Sequence, residues 1–73
     1  MQVNVNKLRG KIAESGLSNE MVAKKIGIDG STFFRKMKSD ALTFSIGQMH
    51  SLVSVLKMTP DEATDIFLSQ NSQ

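Results

Sequence analysis

The sequence predicts an all-α fold, a compact bundle of five short helices, on three observations. Apolar residues fall three and four apart over most of the chain, as in Met49, Leu52, Val53 and Leu56, which is the spacing of one buried helix face. An apolar residue followed directly by a cap former recurs at Leu17-Ser18, Ile28-Asp29 and Phe44-Ser45, the pattern of a helix start. Strand alternation is nearly absent: Val3 and Val5 alternate with Asn and give at best a short extended arm.

Taken in order, the first helix is predicted near Asn6 to Ser15, with Leu8 and Ile12 inward and Gly16 as its stop. Ser18 caps the second, Leu17 staples onto Val22, and Gly27 closes it because glycine adopts positive φ cheaply. Asp29 caps the third, with Ile28 and Phe33 as its staple, over about Gly30 to Lys38. Ser39 to Thr43 reads as a loop. Ser45 and Gln48 form a capping box for the fourth helix, stapled by Phe44 and Met49 and running to about Lys57. Thr59-Pro60-Asp61-Glu62 is the strongest local signal: a cap, a proline at the first helical position and a glutamate to close the box. The fifth helix turns Ala63, Ile66 and Phe67 inward and ends near Ser69. The chain is thus read as one domain over residues 1–73, with an ordered core of about 5–69 and a polar, frayed tail at 70–73.

At 73 residues there is no room for a second core, and such a core usually supplies only about 3–5 kcal/mol. With no Cys and one His, a disulfide framework, a thiolate zinc site and a cysteine nucleophile are excluded. No apolar run approaches the roughly 20 residues that span a bilayer, and Met1 to Gly10 lacks a signal-peptide stretch. A soluble chain in a reducing, cytoplasmic compartment is expected. The parts of an enzyme are missing too: there is no Gly-x-Ser-x-Gly elbow, phosphate-cradling glycine loop with lysine, or His-Glu-x-x-His. No cofactor, metal or small-molecule substrate is expected. The net charge of +2 hides a division. Residues 1–38 hold eight Lys and Arg against three Asp and Glu, a net +5; residues 39–73 hold one against four, a net −3. A basic first half suits a polyanionic partner.

Two helices that cross steeply need a small side chain where they touch, a turn residue tolerant of positive φ, and an apolar plug on the second helix. Ala23, Gly27 and Phe33 supply these in turn, which is the helix-turn-helix arrangement. The stretch Leu17-Ser18-Asn-Glu-Met-Val-Ala-Lys-Lys-Ile-Gly-Ile-Asp-Gly-Ser-Thr-Phe-Phe-Arg-Lys-Met37 resembles the helix-turn-helix core of the Cro/repressor (XRE-like) family of temperate bacteriophages and bacteria, and the resemblance spans about Val5 to Leu68. Ser-Thr-Phe-Phe-Arg-Lys at 31–36, Thr43-Phe44-Ser45, and Pro60 followed by Ile66-Phe67 look especially like small lysogeny-module regulators of phages from low-GC Gram-positive hosts.

The resemblance implies a lambda-repressor-like DNA-binding domain whose third helix enters the major groove of double-stranded operator DNA. The matching positions are Asp29, Gly30, Ser31, Thr32 and Arg35, with Arg35 able to clasp guanine O6 and N7. Ser18, Asn19, Thr43 and Ser45 fall where helix N-termini can bond phosphates. Lys24, Lys25, Lys36 and Lys38 add counterion-release affinity. A homodimer on a two-fold operator follows from the same resemblance.

Three departures open a second reading. The family often has Gln where Asn19 stands, it commonly places a long base-reading side chain where Gly30 stands, and Asp29 sets a negative charge near the DNA. Phe34, next to Phe33, cannot face the same core: it either plugs a contact with the fourth helix or lies exposed at a partner surface. Of Ile66, Phe67 and Leu68, one is left over for a dimer or partner contact or to cover the end of the fourth helix. His50 reads as a structural or surface residue, and the five Met as core filling. Two functions are therefore expected in this order: a Cro-type regulator of a lysis–lysogeny switch that binds operator DNA; and an anti-repressor, a modulator of repression, that binds the phage's main repressor and blocks its DNA-reading helix.

Overall fold

A computed structural model describes residues 3–38 and 44–68. The predicted loop at 39–43, with Thr43, and the tail beyond Leu68 lie outside them. The described residues form α1 (Val5–Ser15), α2 (Asn19–Lys25), α3 (Gly30–Lys38), α4 (Ile46–Val55) and α5 (Pro60–Phe67), an all-α architecture in which α2 packs on α3 and α4, and α1 on α5.

Short helices have a large share of unpaired end groups, so their caps decide where they start. Ser18 Oγ accepts from the Met21 N–H at 3.1 Å, Ser45 Oγ from the Gln48 N–H at 3.0 Å, and Thr59 Oγ1 from the Glu62 N–H at 3.1 Å. Gln48 and Glu62 return the bond to their caps, closing both boxes. Asp29 behaves otherwise. Its backbone carbonyl accepts from the Phe33 N–H at 2.9 Å, but its exposed carboxylate makes no cap bond. The start of α3 is fixed instead by the turn before it. There the Ile28 N–H donates to Ala23 O at 3.0 Å and the Gly27 N–H to Lys24 O at 3.1 Å, with Gly27 at φ 85°. This is a Schellman closure, which needs the left-handed residue that Gly27 provides.

Three boundaries differ from expectation, one being the end of α5 at Phe67, two residues before Ser69. α1 begins at Val5 because Asn4 is its cap: Asn4 Oδ1 accepts from the Lys7 N–H at 3.1 Å. Val3 and Val5 consequently both lie partly buried against the core and do not alternate as an arm, and the Asn4 N–H donates to Ile66 O at 2.7 Å. α4 ends at Val55, two residues short of Lys57. The same Schellman pair recurs there, from Met58 N–H to Val53 O at 3.0 Å and Lys57 N–H to Ser54 O at 3.3 Å, with Lys57 itself at φ 54°. A β-carbon in the left-handed region costs about 1–2 kcal/mol. Lys57→Gly is therefore expected to stabilise the fold by about 0.5–1 kcal/mol net of glycine's greater unfolded-state freedom, read as a higher urea midpoint; a lower midpoint would contradict this closure.

The core gathers residues from every helix: Leu8 and Ile12, Val22 and Ala23, Phe33 and Met37, Leu52, and Ile66 with Phe67, joined by Phe44, Leu56 and Met58 from the connections. Phe33, Leu8, Leu52 and Val22 are the largest fully buried side chains. Phe33 and Phe44 pack as a tilted pair with centroids 5.7 Å apart, a geometry that adds to simple area burial. The leftover apolar residue at the end of α5 is Leu68, 50% exposed. Met37 and Met58 fill the core and Met49 lies against it, but Met21 is 46% exposed and fills nothing.

Charge ties α1 to α5. Lys11 Nζ lies 3.1 Å from Glu62 Oε2 and 3.3 Å from Glu14 Oε1, and Lys7 Nζ lies 3.6 Å from Asp65 Oδ2. The Lys7 pair is exposed and contributes little. The Thr59 N–H and then the Lys11 ammonium hold the Glu62 carboxyl below its ordinary 4.5, and the Glu62 carboxylate in turn holds Lys11 above 10.5. Stability from Glu62 is thus fully present above pH 4.5 and fades as pH falls through the lower folded value; stability from Lys11 is present below 10.5 and fades as pH rises through the raised value. Urea denaturation of Glu62→Gln is expected to show a shallower loss of stability as pH falls below 4.5 than the parent chain. An equally steep loss would show that Glu62 is not held low by these partners.

Candidate nucleic-acid interface

α3 has two unlike sides. Phe33 and Met37, four apart, are buried, and this seats the helix on the core. Ser31, Phe34, Arg35 and Lys38 face solvent, with Thr32 and Lys36 half-buried at the margins. The basic residues Arg35, Lys36 and Lys38 fall in the last turn of α3, where they suit the negative end of the helix dipole.

Within this face the side chains touch one another. Arg35 Nη2 donates to Thr32 Oγ1 at 3.4 Å, a long bond on an exposed helix that leaves the guanidinium's remaining donors directed to solvent. The Lys38 ammonium lies 5.4 Å from the Phe34 ring centroid, and the Lys36 ammonium 5.8 Å from that of Phe44. Phe34 is 58% exposed, so of the two roles open to it from the sequence, the plug against α4 is not taken.

Two neighbouring helix starts flank α3. Glu20, in the first turn of α2, brings its Cγ within 3.3 Å of where a β-carbon on Gly30 would stand. Ser18 and Asn19 therefore lie beside the beginning of α3, both exposed. Beyond α3, Phe44 packs on Phe33 near the middle of that helix, and Ser45, next in the chain, is exposed. Ser18 Oγ and Ser45 Oγ accept backbone bonds, and each hydroxyl keeps its hydrogen to donate outward. Of the predicted set, Asp29, Ser31, Phe34, Arg35 and Lys38 are exposed and Thr32 half-buried on α3 and the turn before it, Gly30 is half-buried against Glu20 on the Phe33 and Met37 side, and Ser18, Asn19 and Ser45 are exposed at the starts of α2 and α4. Thr43 lies outside the described residues.

Sequence reasoning missed Glu20. Its place two residues after a serine cap reads as a charge on a helix start, and nothing in the spacing sets it over Gly30. A shallow depression lined by Lys24, Gly27, Ile28, Asp29 and Thr32 continues the face across the turn, and Lys24 is the cation there. The described residues hold no group of three or more His, Cys, Asp or Glu suited to a metal ion, and no helix long and apolar enough to cross a membrane. No family model, curated relative or solved structure matches the chain.

Proposed function

We propose that the chain is a helix-turn-helix transcriptional regulator of a temperate-phage genetic switch, working in the bacterial cytoplasm and binding operator DNA through α3. The observation that carries this is the division of α3: Phe33 and Met37 anchor it, while Ser31, Arg35 and Lys38 stand free of the core on a helix flanked by two serine-capped helix starts. The Schellman turn at Gly27 and the buried Ala23 supply the connection such a motif needs. In this reading Arg35 clasps a guanine, Ser31 and Thr32 meet base edges or phosphates, Ser18, Asn19 and Ser45 hold phosphates, and the lysines release counterions.

A homodimer would place two α3 helices on half-sites one turn apart. The apolar groove between α4 and α5, lined by Ile46, Met49, Val53, Phe67 and Leu68, supports self-association, since Ile46 is 82% exposed. A gel-shift against the intergenic DNA beside the gene tests the reading. Salt-sensitive retardation supports it, and none at low ionic strength contradicts it.

The exposure of Phe34 favours a second reading, the anti-repressor. Aromatic and arginine side chains are enriched at protein interfaces, and Phe34 beside Arg35, with Glu20 and Asp29 at the rim, would fit a repressor's DNA-reading surface. The acidic second half would complement that basic partner. Co-elution with the phage's main repressor at micromolar concentration supports this reading; separate elution contradicts it.

A further inference from the structure

We propose that Phe34 is a specificity-determining residue that reads thymine by its C5-methyl group, an inference that rests on the DNA reading above. Ser31, Phe34 and Lys38 stand three and four apart on α3, so they form one exposed column, and Arg35 lies beside it. Phe34 is the large apolar side chain that α3 leaves exposed, at 58%. Any surface that receives this face must therefore desolvate a phenyl ring at its centre.

In the major groove the base edges present hydrogen-bond donors and acceptors, and the thymine methyl is the apolar feature among them. A phenyl ring set against the N4 amine of cytosine or the O6 of guanine would leave that group unpaired, at a cost. Set against a thymine methyl it removes apolar surface from water on both sides. The Lys38 ammonium, 5.4 Å from the ring centroid, covers one side of the ring and leaves the rest open. The same lysine lies a turn farther along the helix, where it can hold a phosphate while the ring meets the base. Because Phe34 and Arg35 are adjacent in the chain, the thymine lies within about one or two base-pair steps of the guanine that Arg35 clasps.

The test is selection from a randomised DNA duplex pool with the full chain, followed by re-synthesis of the enriched duplex with deoxyuridine in place of thymine, which removes the methyl and nothing else. The enriched sequence is expected to carry a thymine within two steps of a guanine. Affinity is expected to fall about three- to fourfold for each contacted methyl removed. Phe34→Ala should bind the thymine and uridine duplexes equally, and Phe34→Leu should restore part of the difference. Equal binding of both duplexes by the parent chain, or a thymine preference that survives in Phe34→Ala, would overturn the inference while leaving DNA binding in place. Absence of salt-dependent binding to any duplex would overturn the DNA reading and this inference with it.

Discussion

Phe33→Ala is expected to lose about 3–5 kcal/mol, the ordinary cost of emptying a phenylalanine site in a core that cannot collapse around it. Phe33 has no exposed surface, and its ring meets Phe44 at 5.7 Å. Removing it strips the anchor of α3 and the contact that seats the start of α4 in the same step. A core of this size supplies about the same amount in total, so the variant should be mostly unfolded at 25 °C, read as loss of helical circular dichroism. Cooperative unfolding within 1 kcal/mol of the parent would show that α3 is held by something other than this ring. The exposed neighbour is the control: Phe34→Ala should shift the unfolding midpoint little, because its ring is 58% exposed and lies outside the buried core.

Arg35→Ala is expected to leave the fold intact and to weaken binding to a specific operator by about 1–3 kcal/mol, which is roughly five- to 150-fold. Its only side-chain hydrogen bond among the described residues is the long one to Thr32, so no structural role of the side chain explains a loss. Arg35→Lys should recover only part of it, because an ammonium on a flexible stem lacks the rigid fork that fixes both guanine acceptors. Fluorescence anisotropy of labelled duplex gives both numbers. If Arg35→Ala binds as tightly as the parent, α3 does not read bases through this residue.

How much of this was legible in the sequence depends on how local the cause is. Ser18, Ser45, Thr59 and Pro60 fixed helix starts correctly because a cap is settled within four residues of chain. The end of α2 was legible for the same reason, since Gly27 announces the left-handed turn. The end of α4 was not, because Lys57 takes that conformation without being a glycine, and its Schellman closure is fixed by packing. Asn4 does not read as a cap in the sequence, because the two valines around it suggest extension. Contacts between distant segments left no trace in the sequence: Lys11 to Glu62, Asn4 to Ile66, and Glu20 over Gly30 join residues that only the assembled helices bring together. For the candidate site, the members on α3 could be read from helical spacing, and Phe34 stayed open because periodicity tells which two neighbours diverge and not what either one meets.

In the proposed function the outward side of α3 is the working surface. Binding of the intergenic duplex measured across a series of salt concentrations, for the parent and for Arg35→Ala, tests it most directly. The expected result is a logarithm of affinity that falls linearly with the logarithm of salt, with the variant weaker at every concentration. No binding at the lowest salt, or two superimposable lines, would contradict it.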